Sequence, residues 1–202
     1  MRVLICDLDG TLIKGDSFRL WAVKVFLYKP HVFIVNFLKA RKNQFRARLK
    51  ITCILTFEQL PSKKRNRLSI VYSEEITRKF SEDFWTFYEK FLPDKVLILS
   101  ASPNIYVERI GDINNFDAVG TDFIGGNYIF MSGIVKRAYA KSYLSNLGVN
   151  SCHVLALGNS GDDLPFMELA DLAFFICWDG RSRTNSVDGV IKLNWKELSE
   201  IY

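Results

Sequence analysis

Apolar residues along this chain follow two rhythms. Short runs of the kind that build strands buried on both faces of a parallel sheet recur at 3–6, 96–99, 118–120, 154–157 and 172–176. Segments with helical spacing lie between most of them, at 104–110, 135–147 and 163–169. That alternation predicts an α/β fold, a parallel sheet with helices on its faces. Polar residues gather where the strands should end: Asp7 and Asp9, Ser100 and Ser102, and 159–163. Sheets of this type hold their ligands at those ends. Between 121 and 131, Gly125-Gly126-Asn127 sits among apolar residues and reads as a hairpin.

From 16 to 89 the rhythm changes to long amphipathic stretches punctuated by Pro30 and Pro61. Ile34, Leu38, Phe45 and Leu49 fall near one helical face, with Lys39, Lys42, Arg46 and Lys50 on another. A helical insertion between the first two strands follows. Its charge is one-sided. Residues 17–57 contain no Asp or Glu but nine basic residues: Arg19, Lys24, Lys29, Lys39, Arg41, Lys42, Arg46, Arg48 and Lys50. The whole chain carries only +5, so the remainder is net acidic. Any one of these lysines reads as a solvated helix face, but the block as a whole attracts anions. A phosphorylated substrate, an anionic membrane surface and nucleic acid would all suit it. Nucleic acid fits least, since no recognisable nucleic-acid module accompanies the charge. The aromatic residues here (Phe18, Trp21, Phe26, Tyr28, Phe33, Phe37, Phe45) suit an interfacial helix pair as well as an internal core.

At 202 residues and 49% apolar content, the chain can form one substantial core with a small accessory module. No run approaches the 18 or so apolar residues of a membrane span. Asp7 and Asp9 interrupt the N-terminal apolar run, which argues against a signal peptide. Cys6, Cys53, Cys152 and Cys177 are far apart in sequence, so free thiols and a cytoplasmic setting are expected, with peripheral contact at the inner face of a membrane as an extension. His31 and His153 are the only histidines, leaving little for a zinc site or a histidine base. Chemistry must run on carboxylates, lysine and hydroxyls.

The first strand delivers such chemistry. Alternate strand residues share a face, so Asp7 and Asp9 can converge beyond its end. Two carboxylates there call for a hard cation such as Mg²⁺. Gly10 allows a tight turn beside a ligand, and Thr11 offers a hydroxyl and an amide. Asp-x-Asp-Gly by itself also reads as an ordinary turn or a calcium loop. A calcium loop would continue with more oxygen ligands and a late Glu, whereas this one continues Thr11-Leu12-Ile13-Lys14. Three further pieces accompany it. Residues 96–103, Val-Leu-Ile-Leu-Ser-Ala-Ser-Pro, are a buried strand ending in hydroxyls. Gly133-Ile134-Val135-Lys136 sets a lysine at a helix start, with Lys141 as its rival. Residues 157–165, Leu-Gly-Asn-Ser-Gly-Asp-Asp-Leu-Pro, are a strand ending in a carboxylate loop.

In this order the four motifs resemble the haloacid dehalogenase (HAD) superfamily of aspartate-nucleophile phosphatases, and within it the phosphoserine-phosphatase-like subclass. The resemblance implies a Rossmann-like core over 1–14 and 91–202, with a C1-type helical cap over 15–90. It implies Mg²⁺-dependent phosphomonoester hydrolysis, with Asp7 as nucleophile and Asp9 as general acid and base. Ser100 and Lys136, with Gly10, Thr11 and Ala101, would hold the phosphoryl oxygens. Asp16 would meet the substrate from the cap side. It could equally cap a helix, as could Ser100 or Ser102 further on. Mg²⁺ would be bound by Asp7, the Asp9 carbonyl, Asn159 and Asp163. Asn159 departs from the family pattern, which has an acidic residue there. Either Asn159 ligates with Asp163 behind it, or Asp163 or Asp162 ligates directly. A sugar phosphate or a lipid-linked phosphate suits a basic aromatic cap. Two other readings remain: a catalytically weak HAD-fold binding or regulatory protein docking through its basic cap, and a phosphotransferase or mutase.

Overall fold

The computed structural model describes residues 1–40, 45–124, 127–148, 152–178 and 190–202. Strand β1 (Arg2–Cys6) is followed by five helices: α1 (Ser17–Tyr28), α2 (Pro30–Lys39), α3 (Phe45–Glu58), α4 (Ser62–Thr77) and α5 (Glu82–Phe91). Then come β2 (Lys95–Pro103), α6 (Asn104–Asn114), β3 (Asp117–Ile124), β4 (Asn127–Ile129), α7 (Ile134–Asn146), β5 (His153–Gly158), α8 (Leu164–Met167), β6 (Leu172–Ile176), β7 (Ile191–Leu193) and α9 (Trp195–Ile201).

The sheet order is β4-β3-β2-β1-β5-β6-β7, parallel except for the antiparallel β3–β4 pair. This is the expected α/β architecture. Its first strand lies at the centre, because the chain builds outward on one side through β2 and β3 before returning to the other through β5. Direction therefore reverses at β1, which places the crevice of such a sheet at the carboxyl ends of the central strands. Every residue of β1 except Arg2 is buried, which explains its unbroken apolar run.

Two apolar clusters cover the two faces of the sheet. Val3, Ile5, Leu97, Leu99, Ala156 and Phe166 belong to one. The other holds Leu4, Cys6 and Ile98 together with Trp21, Tyr72 and Phe84 from the insert. Trp21 is its hub, its ring 5.2 Å from Phe57, 5.1 Å from Tyr72 and 5.1 Å from Tyr106 of α6. Helix α5 packs on α9 through Phe84 and Trp195, whose rings are 5.4 Å apart. The inserted helices thus share one core with the sheet.

Some sequence expectations change here. The stripe Ile34, Leu38, Phe45 and Leu49 does not lie on one helix: α2 ends at Lys39 and α3 begins at Phe45. Ile34, Leu38 and Phe45 are exposed rather than buried. Lys50, grouped with the solvent-facing lysines, is buried. The helix expected over 163–169 is only the single turn α8. Strand β7 and helix α9 had no counterpart in the sequence reading. Gly125 and Gly126 lie outside the described residues, although β3 and β4 pair on either side of them. All four cysteines are free, and three are buried.

Candidate active site

The crevice holds a cavity of about 180 Å³ lined by residues from four loops and from α3. Asp7 and Asp9 reach it from β1, Ala101 and Ser102 from β2, Lys136 from α7, and Asn159 to Asp163 from the loop after β5. A larger hollow, of about 590 Å³, lies at the opposite strand ends among Asp94, Asp112 and Asp117. It lies away from the carboxyl ends of the strands, where the Asp7 and Asp9 pair sits.

Lys136 organises the base of the site. Its Nζ lies 2.6 Å from Asp7 Oδ1 and 2.6 Å from Asp163 Oδ1, and all three side chains are almost wholly buried. Local structure fixes the lysine there. Gly133, with φ +53°, starts α7 and donates its N–H to the Asp162 carbonyl at 3.0 Å. That bond sets Lys136, three residues on, beside the aspartates. Lys141 is exposed on the same helix. Burial opposes the lysine's charge, but the two carboxylates outweigh it and raise its pKa above the ordinary lysine range. Burial raises the Asp7 pKa, and Asp163 and Asp9 add to the rise, against the pull of Lys136.

Asp163 is committed to the loop. Its Oδ2 accepts from the Asn159 N–H at 3.0 Å, the Ser160 N–H at 3.1 Å and the Ser160 hydroxyl at 3.0 Å. With Oδ1 on Lys136, its oxygens are fully engaged. Asn159, by contrast, keeps its amide in the cavity wall beside the Asp9 carbonyl. Gly158 makes the loop's close approach possible, since a Cβ there would come 2.6 Å from the Asp163 Cβ.

Asp9 sits in a different environment. Its Oδ1 accepts from the Ser17 N–H at 2.6 Å, and its Oδ2 accepts from Ser102 Oγ at 2.5 Å and Ser100 Oγ at 3.4 Å. Burial raises its pKa, and the Ser102 and Ser17 hydrogen bonds only partly offset that. A carboxyl so placed holds its proton more readily than an exposed one. Ser17 Oγ in turn bonds Tyr106 at 2.9 Å, and Tyr72 donates to the Ser17 carbonyl.

The remaining expected residues are distributed unevenly. Ser100 is fully buried and accepts the Ser102 N–H at 3.1 Å, so Ser102 rather than Ser100 lines the cavity. Neither serine caps α6. Gly10 and Thr11 lie behind Asp7. Their N–H groups close the turn onto Ile13 and Leu8 carbonyls, and their own carbonyls accept from Trp178 at 3.0 Å and Trp195 at 2.9 Å. Thr11 Oγ1 donates to Asp7 Oδ2 at 3.4 Å. Ala101 lines the cavity, its carbonyl accepting from Thr121 at 2.8 Å and from Lys50. Asp16 precedes α1 without capping it. Its Oδ2 pairs with Arg46 at 2.9 Å and Arg19 at 3.5 Å, while its buried Oδ1 has no hydrogen-bond partner among the described residues.

Sequence reasoning missed Lys50. It comes from α3, lies 1% exposed in the cavity wall, and its Nζ sits 4.6 Å from the Phe130 ring centre. Burial first, and Arg46 second, lower its pKa to about 8. No sequence signal set Lys50 apart, since Arg19 and Lys24 also open apolar runs.

The donors suit a hard divalent cation. Asp7, Asp9 and Asp163 set three carboxylates in a cavity that also holds the Lys136 and Lys50 ammoniums, and the available ligand atoms are oxygens. The Asn159 amide lies against the Asp9 carbonyl, its Nδ2 2.6 Å from that oxygen. Turned over, the amide presents Oδ1 next to the same carbonyl, as two neighbouring ligands. Among the described residues no group of three or more His, Cys, Asp or Glu side chains is arranged to hold a metal ion, so a cation here would also need the Asp9 carbonyl and the Asn159 amide.

Comparison with known proteins bears on this geometry. A family model for haloacid dehalogenase-like hydrolases matches residues 4–168. No curated protein matches the chain. Among solved structures, a HAD-family hydrolase from Salmonella enterica serovar Typhi is similar at TM-score 0.62 and 14% identity, over 99% of this chain and 70% of that one. A substrate-bound phosphoserine phosphatase gives TM-score 0.56 at 17% identity, over 98% and 95%. A phosphoserine phosphatase from T. onnurineus gives 0.52 at 15%, over 99% and 93%. At these identities the likeness is one of fold.

Proposed function

The chain belongs to the haloacid dehalogenase-like hydrolase family, and on that premise we propose that it is a Mg²⁺-dependent phosphatase of small phosphomonoesters. The observation that carries this reading is the buried Asp7–Lys136–Asp163 chain beside a separately held Asp9.

Asp7 attacks phosphorus in line, and the P–O bond to the leaving group breaks. Its Oδ1 is held by Lys136, which leaves Oδ2 as the attacking oxygen. Asp9, its pKa raised by burial, gives its proton to the departing oxygen. The Asp9 carboxylate then takes a proton from the incoming water, whose oxygen displaces Asp7 and releases inorganic phosphate. Lys136 and the Ser102 hydroxyl face the phosphoryl oxygens, and Asp163 keeps Lys136 aligned. Mg²⁺, held by Asp7, the Asp9 carbonyl and Asn159, would supply the positive charge that lets two anions meet.

The insert over 15–90 serves as the cap in this reading. Lys50 and Arg46 offer cations to the rest of the substrate, and the unpaired Asp16 Oδ1 offers an acceptor for an amine or hydroxyl. A sugar phosphate or a lipid-linked phosphate fits that wall, and a contact of the basic insert with an anionic membrane belongs to the same reading. A screen of phosphomonoesters with Mg²⁺ tests the chemistry. Asp7→Asn should lower kcat by about 10⁴-fold or more. Undiminished turnover in that variant would refute the mechanism.

A further inference from the structure

We propose that the outer face of α1 and α2 docks on an anionic lipid bilayer. This deepens the membrane contact suggested above and rests on that reading for its partner, but not on turnover. Helix α2 turns Phe33 toward the core but leaves much of its apolar surface outside. The one residue it buries is Asn36, whose amide donates to Thr56 Oγ1 at 3.0 Å and accepts from Gln59 at 3.4 Å. Its apolar residues Ile34, Val35 and Leu38 are 52%, 47% and 70% exposed. Leu20, Val23 and Leu27 form a matching exposed row on α1, at spacings of three and four residues. The Phe26 and Phe33 rings, 5.4 Å apart, join the two helices. A soluble surface ordinarily keeps apolar side chains scattered, and a continuous two-helix face marks a docking site.

Charge selects the occupant. Residues 17–57 hold nine cations and no carboxylate. A second copy of this chain would set one basic face against another, because Asp16 and Glu75 beside it are already paired with Arg19, Arg46 and Lys24, while Lys39 stays exposed and Lys50 turns inward. Protein interfaces are also depleted in lysine. An anionic bilayer takes both features together, the apolar row entering the headgroup boundary while Lys and Arg meet the lipid phosphates. Beside this face a cleft of about 380 Å³ between α1 and α4 is walled by Leu27 and Val71 and flanked by Lys24 and Arg67, a shape suited to a lipid headgroup and the start of its chain. Among the described residues no helix is long and apolar enough to cross a membrane, so the contact is at the surface.

Sedimentation of the full chain with vesicles tests this. Phosphatidylcholine vesicles containing phosphatidylglycerol should retain the protein at least about tenfold better than phosphatidylcholine alone, with the difference shrinking at high salt. The Leu27→Glu/Leu38→Glu double variant should lose about tenfold or more of that binding. Lys39→Gln should lose about fivefold. Both variants should melt with the parent, and hydrolysis of a soluble ester is measured separately, so failure to bind and failure to turn over are distinct results. Equal retention on neutral vesicles, or unaltered binding by both variants, would overturn the proposal. So would concentration-dependent dimerisation abolished by the double variant, which would make a second copy the occupant.

Discussion

Two lysines and two aspartates in this cavity share residue types but not electrostatic environments. Lys136 lies between two carboxylates, which hold its charge against burial. Lys50 is equally hidden, faces a carbonyl and an aromatic ring, and has its pKa lowered to about 8 by burial and Arg46. Asp7 is aligned on an ammonium while Asp9 is held by hydroxyls and an amide, a difference that suits the nucleophile and acid roles proposed for them. A pH dependence follows for Lys50. As the pH rises through about 8 the folded protein loses this charge, so KM for an anionic substrate should climb, approaching tenfold per pH unit beyond it. Lys50→Arg should flatten that limb, because guanidinium stays charged. Lys50→Met should raise KM at every pH and remove the limb. Stability moves the other way. Between about 8 and the unfolded value of 10.5, the unfolded chain binds a proton that the folded one does not, so stability rises with pH over that window.

At the scale of elements, the site is a joint between two turns. The turn after β1 is tied from behind by Trp178 and Trp195, and the loop after β5 is tied by Asp163. They meet where Gly10 faces Asn159. Gly10 has φ +82°, and a Cβ there would collide with the Asn159 amide. Gly10→Ala should therefore destabilise the fold by about 1–3 kcal/mol, measured by urea unfolding. It should also raise the Mg²⁺ concentration needed for half-maximal activity by about 10-fold or more, because the displaced amide is a proposed ligand. An unchanged metal requirement would remove Asn159 from that role. The Asp-x-Asp-Gly-Thr pattern made this turn readable from sequence, since strand alternation and a glycine turn are local properties. Strand β7 and helix α9 were not readable. Three residues give no period, and the Asn194–Glu197 capping box was overlooked in a short polar tail.

At the scale of the molecule, the insert and the sheet share one core. Phe18, Trp21, Tyr72, Ile76 and Phe84 cover the same face as Leu4, Cys6 and Ile98. Removing 15–90 would uncover much of that face, leaving α6 and α9 residues such as Tyr106 and Trp195 on it. A chain joined across the gap should show no cooperative urea transition and should expose apolar surface to a hydrophobic dye. A sharp transition with native-like ellipticity would instead show that the sheet layer stands alone.

The amino-acid order alone specified the α/β alternation, the strand ends where polar groups collect, the helical insert and its one-sided charge, and the residues Asp7, Asp9, Lys136 and Asp163. Each of these is written in local periodicity or a short motif, and periodicity is a property of neighbours along the chain. Tertiary structure alone decided that Lys50 turns inward, that Ser102 rather than Ser100 lines the cavity, that Asp163 is spent on its own loop, and that α2 leaves Ile34, Val35 and Leu38 exposed. Those outcomes depend on which helix faces are already occupied by other elements. Packing across tens of residues in sequence settles that, and no window along the chain contains it.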